Sequence, residues 1–259
     1  MSVRAIGGLA ACAAFFALCG ASARGDDACW QLVYATVQHN AGAPHAPFVS
    51  YSERVNLTED GHAIEYAQAN VTYRDDGFAY VDDSRFVHPF VSAMLDPGPP
   101  VLGPYGDRRQ SWLALAVDDT SLPIIADTKA THRARCDDLG DEIIDGVPYA
   151  HLVFPDARTD RPALKGLWVD PSRLLVRRVV VSEYLNFYFR DGDMTQHLAD
   201  YTLEVAHVDG HDVLSQVNWR YSYWQYGQRT DLQEEYKFGA YRFDSQPPAG
   251  VLFADDTKG

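Results

Sequence analysis

Two histidines on either side of one turn are the closest that this sequence comes to a reactive site. His207 and His211 flank Asp209-Gly210. Across a hairpin, two imidazoles could chelate a metal if Asp212 supplied a third ligand. Histidines that simply flank a turn give the same pattern, and we adopt that interpretation. The sequence therefore predicts no metal site.

Catalytic motifs are absent from the sequence. It has no nucleophile elbow, no His-Glu-x-x-His pair, no phosphate-binding glycine loop and no Cys-x-x-Cys. Asp191 and Asp193 begin like a calcium loop, but Gln196 stands at the glycine position and Thr202 at the closing glutamate position. We therefore predict a protein that is not an enzyme, with no catalytic residue and no cofactor.

Aromatic residues are the strongest remaining signal. Between Val213 and Tyr226 they occupy both faces of one predicted strand, as in a strand that is covered on both sides or lines a cavity. Cavities in β-barrels and half-barrels take small apolar ligands. The predicted ligand-binding residues are Phe90, Met94, Leu95, Trp112, Trp168, Tyr184, Phe187, Trp219, Tyr221 and Tyr223. The same residues could instead fill an ordinary core.

A proline- and glycine-rich segment from Phe86 to Asp107 differs from the rest of the chain. It is apolar, yet its composition forbids regular structure. Long loops of this kind in compact domains are usually functional. We predict that residues 90–102 form a lid over the cavity, with a connector packed on the sheet as the alternative.

The N-terminus is typical of a secretory signal peptide. One arginine, Arg4, precedes an apolar run that ends at Leu18, and Ala21-Ser22-Ala23 supplies a cleavage site. The prediction is a signal peptide over 1–23 and one domain over 24–259, exported to the periplasm or the extracellular space without stable membrane insertion. The net charge of −14 argues against nucleic acid as a partner.

Cleavage at that point leaves two cysteines, Cys29 and Cys136. In an oxidising compartment a disulfide is the natural pairing. It would join the N-terminal segment to the sheet, whereas two separate buried thiols are the alternative.

The chain beyond residue 131 is nearly all predicted strand. Hairpin turns are indicated at Asp145-Gly146, at 170–173 (Asp-Pro-Ser-Arg) and at Asp209-Gly210. Leu203 and Val205 alternate with Thr202 and Glu204, which predicts one buried and one wet face. Strands are also predicted at 48–57, 63–74 and 77–81, and short helices at 26–38, 111–117 and 121–126.

The predicted fold is therefore mainly β with a few short helices. Its strands form a large antiparallel meander, which we expect to make an incomplete, half-open β-barrel covered by the helices.

Two local motifs add a family resemblance. Leu-Trp-Val-Asp-Pro at 167–171 precedes a basic and apolar strand through Arg177 and Arg178, and Tyr-Arg-Phe at 241–243 precedes Pro-Pro-Ala-Gly-Val at 247–251. With the signal peptide, the N-terminal helix and the run of strands, these motifs resemble the LolA-like, outer-membrane lipoprotein-sorting proteins. The resemblance implies a half-barrel whose hydrophobic cavity carries acyl chains or senses lipidated partners.

The sequence thus predicts an exported, non-enzymatic protein that binds a hydrophobic or acylated ligand, with a lipoprotein or another envelope protein as the expected partner. The alternative is a surface module for carbohydrate or protein, with exposed aromatics such as Trp224 and Tyr226 as stacking platforms. Aromatics that point inward favour the first interpretation.

Overall fold

A computed structural model describes residues 25–44, 46–74, 79–86, 104–105, 110–111, 134–155, 157, 163–188, 194–225 and 227–251. Within these residues there is one helix, α1 (Asp26–Ala41), and the rest of the regular structure is strand. The predicted signal peptide and lid, and the segment 112–133 with the two further predicted helices, lie outside the described residues. Ser111, the expected start of one of those helices, belongs to a short strand instead.

Ten strands form one open antiparallel sheet, in the order β3-β2-β1-β12-β11-β10-β9-β8-β7-β6. They are β1 (Phe48–Glu59), β2 (His62–Arg74), β3 (Ala79–Phe86), β6 (Asp137–Ile144), β7 (Val147–Val153), β8 (Ala163–Asp170), β9 (Leu175–Tyr188), β10 (Met194–Val208), β11 (His211–Gln225) and β12 (Gln228–Asp244). A separate pair, β4 (Pro104–Tyr105) and β5 (Gln110–Ser111), makes a two-stranded sheet. The predicted mainly β fold and its open meander are confirmed.

The hairpins form where the sequence allows positive φ at two successive residues. Asp145 and Gly146 have φ of 53° and 80°, and Asp209-Gly210 repeats the pattern with 50° and 85°. This is the geometry of type I′ turns, whose twist matches that of the flanking strands. At the β8–β9 turn the Asp170 carboxylate instead accepts bonds from the backbone N–H groups of Ser172 and Arg173, at 2.9 and 3.2 Å. Each of these predicted turns is confirmed.

Helix α1 begins with Asp26 and Asp27, whose charges favour the positive end of the helix dipole. Its buried positions include Cys29, Trp30 and Val33, spaced as one helical face. The Trp30 indole N–H donates to the carbonyl oxygen of Ala134 at 2.9 Å. The helix therefore lies on the sheet at the end where β6 begins.

A disulfide between Cys29 and Cys136 fixes that position, as predicted from the sequence. Beside it, the Asp26 carboxylate accepts a bond from the Cys136 backbone N–H at 2.7 Å. Both cysteines are almost fully buried. The disulfide thus links α1 covalently to the sheet.

The two faces of the sheet differ in character. One face carries the hydrophobic core, whose members come from α1 and from nearly every long strand. The other is polar. Directly paired residues in an antiparallel ladder share a face, so the pairing Glu204–Gln216 on β10 and β11 belongs to the polar face, and Leu203–Val217 belongs to the apolar one.

Replacing Cys29 and Cys136 together by serine should lower the free energy of unfolding by about 3–5 kcal/mol. The bond joins residues 107 positions apart, and a cross-link of that span removes much of the conformational entropy of the unfolded chain. Chemical denaturation with and without a reductant checks this. Reductant should shift the wild-type midpoint and leave that of the double variant unchanged. An unshifted wild type would contradict the prediction.

Candidate ligand-binding faces of the sheet

An aromatic cluster occupies the apolar face where β1, β2 and β12 meet. Tyr51 is its centre, with ring centroids 6.1 Å from Tyr73, 5.8 Å from Phe238 and 5.7 Å from Tyr241. Tyr51, Tyr73 and Phe238 are all buried. We call these four residues the aromatic cluster. It lies several strands away from β6 and β7, where α1 packs through Trp30 and Phe154.

Two carboxylates accompany the aromatic rings on this face. Glu53 is paired with Phe238 across the β1–β12 ladder, Glu234 with Leu57, and each is only 1% exposed. The Tyr236 hydroxyl donates to Glu234 at 3.0 Å. The interior therefore combines aromatic rings with two buried acidic side chains.

Tyr241 has its polar end satisfied on the same face. Its hydroxyl donates to the carbonyl oxygen of Leu214 at 2.6 Å. Burial, reinforced by the Glu53 carboxylate, raises the pKa of Tyr241 well above its usual range. The phenol stays neutral, and its ring is available as an apolar surface.

The predicted ligand-binding residues divide between the described and the undescribed parts of the chain. Trp219 lies on the apolar face of β11, opposite Glu234, with its ring centroid 4.3 Å from that of Tyr201. Phe90, Met94, Leu95 and Trp112 lie outside the described residues. For Tyr184, Phe187, Tyr221 and Tyr223, the backbone lies on β9 or β11 and the side chains are outside the described part.

Trp168 lies on the polar face, because its ladder partners are His151 and Arg178. Its ring stacks on His151 with centroids 4.0 Å apart, and the Arg178 guanidinium lies 5.3 Å from its centre. The indole N–H donates to Glu142 at 2.6 Å. A Cβ at Gly166 would come within 2.9 Å of the indole ring, so this glycine leaves room for the tryptophan. Trp168 is therefore fixed away from Trp219 and the aromatic cluster.

A bulge in β9 brings two consecutive arginines to one glutamate. The register passes from Val169–Val176 to Trp168–Arg178, which leaves Arg177 without a ladder partner. Arg177 donates to one Glu204 oxygen at 2.8 Å and Arg178 to the other at 2.6 Å. These charge-assisted bonds hold the Glu204 side chain between two cations.

Beside this pair the polar face forms a groove of about 810 Å³. Every lining side chain is polar, and all come from four adjacent strands: Arg178, Asp200, Thr202, Glu204, Gln216, Asn218, Arg220, Gln233 and Glu235. We call this the polar groove. Sequence reasoning identified the wet face of β10 but not the groove, whose signal is the recurrence of polar residues at every second position on adjacent strands.

The two turn-flanking histidines have separate environments. His207 contacts Asp212 at 3.1 Å, and the other Asp212 oxygen accepts from the Asn40 amide of α1 at 3.0 Å. His211 stacks instead on Phe243, with centroids 3.9 Å apart. Within the described residues, no group of three or more His, Cys, Asp or Glu side chains is placed to hold a metal ion. Asp212 therefore ties α1 to β11.

Helix α1, the one helix in the described part of the chain, is not long and apolar enough to cross a membrane.

No family model and no curated protein sequence matches the chain. Solved structures similar to it include a putative outer membrane lipoprotein-sorting protein domain from Vibrio parahaemolyticus, with TM-score 0.35 and 13% identity, covering 89% of this chain and 97% of that one. A LolA superfamily protein from Nitrosomonas europaea has TM-score 0.35 and 11% identity, with coverage of 83% and 94%. A DUF1329 family protein from Desulfovibrio piger has TM-score 0.33 and 10% identity, with coverage of 88% and 95%.

The comparison thus names the same LolA-like group that the sequence resembles. At TM-scores this low the likeness carries no conclusion about ligand or partner.

Replacing Glu204 by glutamine should destabilise the fold by roughly 1–3 kcal/mol, because two arginines lose a charged acceptor in a partly buried setting. Urea unfolding measures the change. Asp231→Asn is the matched control, since its ion pair with Arg229 is exposed on both sides and exposed pairs contribute little. Equal losses in the two variants would contradict the role given to Glu204.

The stability of the protein should fall on acidification partly through His211. Burial, with the nearby His207, lowers the pKa of His211, so the unfolded chain takes up its proton first. Stability is therefore lost as the pH falls from about 6.5, the pKa of a free histidine, towards the lower folded value. Unfolding free energies measured across this range should show a shallower slope in His211→Gln. A slope of unfolding free energy against pH equal to that of the wild type would contradict the role given to His211.

Proposed function

We propose that this chain is an exported, non-enzymatic binding protein that holds an apolar, lipid-like ligand against the aromatic cluster of its open sheet. The observation that supports this most is the aromatic cluster itself, a continuous set of rings on the apolar face of an unclosed sheet. The Tyr241 hydroxyl is bonded to the carbonyl oxygen of Leu214, so a ligand could cover this ring without breaking a hydrogen bond to water.

The physical basis is the transfer of acyl chains from water to this face. Each buried methylene contributes about 0.8 kcal/mol, so a chain of ordinary length supplies enough free energy to hold a ligand in an aqueous compartment. Tyr51 and Tyr73 stack nearly parallel, with 9° between their planes, and an extended chain that entered beside them would contact their rings. The Pro/Gly segment at 90–102 would act as the lid.

Small residues next to the aromatic cluster favour access by such a chain. Ala67 and Ala69 lie on β2, paired with Val55 and Glu53 of β1, and both are fully buried. Alanine side chains at these positions take up less volume than the aromatic side chains beside them. An acylated protein, such as a lipoprotein, is the partner that this chemistry suits, in the periplasm or the extracellular space.

Native mass spectrometry of the protein purified from the exported fraction tests the proposal. The intact mass should be that of a chain that begins at Arg24, after removal of residues 1–23. Organic extraction should release an acyl species that was bound one to one. Incubation of the stripped protein with palmitate or a dipalmitoylated lipopeptide should restore a bound form. If the exported protein carries no lipid and the stripped protein binds neither probe, the proposal is wrong.

A pair of variants locates the site. Ala69→Phe should fill the space next to the aromatic cluster and abolish binding of palmitate. Ala150→Phe is the matched control, because Ala150 is equally buried but lies on β7. Both should lose stability through overpacking, by about 1–3 kcal/mol, so binding is compared at temperatures where each is folded. Equal loss of binding in the two would place the ligand elsewhere.

A further inference from the structure

We propose that the polar groove is a second binding site, on the face opposite the aromatic cluster, and that its ligand is a neutral oligosaccharide. The groove is set into the middle of the sheet rather than at an edge. It spans β9 to β12, all of which are paired on both sides. Their backbone groups are therefore used in the ladders, and a ligand can be recognised only through side chains.

The side chains in the groove form rows across the strands. Thr202, Asn218 and Glu235 are successive ladder partners on β10, β11 and β12. Asp200, Arg220 and Gln233 make the next row in the same way. Neighbouring positions along each row are about 4.7–5.5 Å apart and rows are about 7 Å apart. The result is a two-dimensional array of hydrogen-bonding groups on a rigid support.

The carboxylates of the array are already engaged by the protein. Glu204 is held by Arg177 and Arg178. Glu235 accepts from the Gln216 amide at 2.9 Å and lies 2.9 Å from the Lys237 ammonium. The Ser182 hydroxyl donates to Asp200. These bonds fix the acids in place, and the cationic partners of Glu204 and Glu235 offset two of the three negative charges, which disfavours a cation as the ligand.

Donors remain open towards the groove. Arg220 is exposed and makes no ion pair with another described residue. Gln233 and the amide nitrogen of Asn218 likewise have no side-chain acceptor within the described part of the chain. Amide and guanidinium donors next to fixed carboxylate acceptors suit a ligand whose groups both donate and accept. Hydroxyl groups do both.

Other ligand classes fit the groove less well. No apolar side chain lines it, which disfavours lipids and apolar peptides. Its three carboxylates outnumber its two guanidinium groups, which disfavours nucleic acids and other polyanions. A neutral saccharide of several units is the chemistry that remains.

The proposal is tested by titrating the full exported chain with cellotetraose and with the tetramer of N-acetylglucosamine, with NMR spectra recorded at each step. The side-chain amide signals of Gln216, Asn218 and Gln233 should shift on addition of one of these sugars, because these groups contact the ligand directly. Arg220→Ala and Asn218→Ala should each weaken binding at least tenfold. Arg173→Ala, an exposed arginine in the β8–β9 turn, is the matched control and should bind as the wild type does.

The proposal is overturned if neither tetrasaccharide shifts these signals at millimolar concentration, or if binding survives in both groove variants. A sulfated oligosaccharide that binds better than the neutral ones would also overturn it, because it would make the site one for anions. The palmitate-blocking variant Ala69→Phe should retain sugar binding. The two sites therefore stand or fall independently.

Discussion

The pairing of every strand in register is the constraint on which this structure depends. In an antiparallel ladder, residues that face each other across strands share a side of the sheet. Because ten strands are paired in this way, the same two faces continue across the whole sheet from β3 to β6. Leu203 and Thr202, neighbours in sequence, thus contribute to surfaces of opposite character. The aromatic cluster and the polar groove are the two products of that separation.

The apolar and polar faces stay distinct because β-bulges restore the alternation of apolar and polar side chains where the sequence departs from it. Arg177 would direct its charge into the core if β9 continued in strict register. The extra residue at the bulge returns it to the side of Arg178, where both contact Glu204. A similar irregularity between Glu204 and Val205 adjusts the β10–β11 ladder next to the same glutamate. The bulge in β9 thus concentrates charge at one place on the polar face and keeps Arg177 out of the hydrophobic core.

Local chemistry could be predicted from the sequence, and long-range placement could not. The Asp-Gly turns at 145–146 and 209–210 follow from the backbone freedom of two residues. The disulfide follows from there being two cysteines, Cys29 and Cys136, beyond the predicted signal peptide. The side of the sheet taken by Trp168 depends on bulges in β8 and β9, which no alternation count reveals. The signals of these bulges in the sequence are Gly166, which lies close to Trp168, and the two adjacent arginines, Arg177 and Arg178, in one strand.

The strand order also determines when the sheet can be completed. One of its pairings joins β1 to β12, so the hairpin of β1 and β2 meets the strands from β6 to β11 only through β12, the last strand of the described residues. The turn between β1 and β2 is fastened to that strand as well, since Asp60 exchanges hydrogen bonds with Asp231. During synthesis the first strands therefore leave the ribosome long before their partner exists. Contacts between distant parts of a chain form slowly, and this topology keeps the hairpin of β1 and β2 from joining the strands from β6 to β11 until β12 has been synthesised.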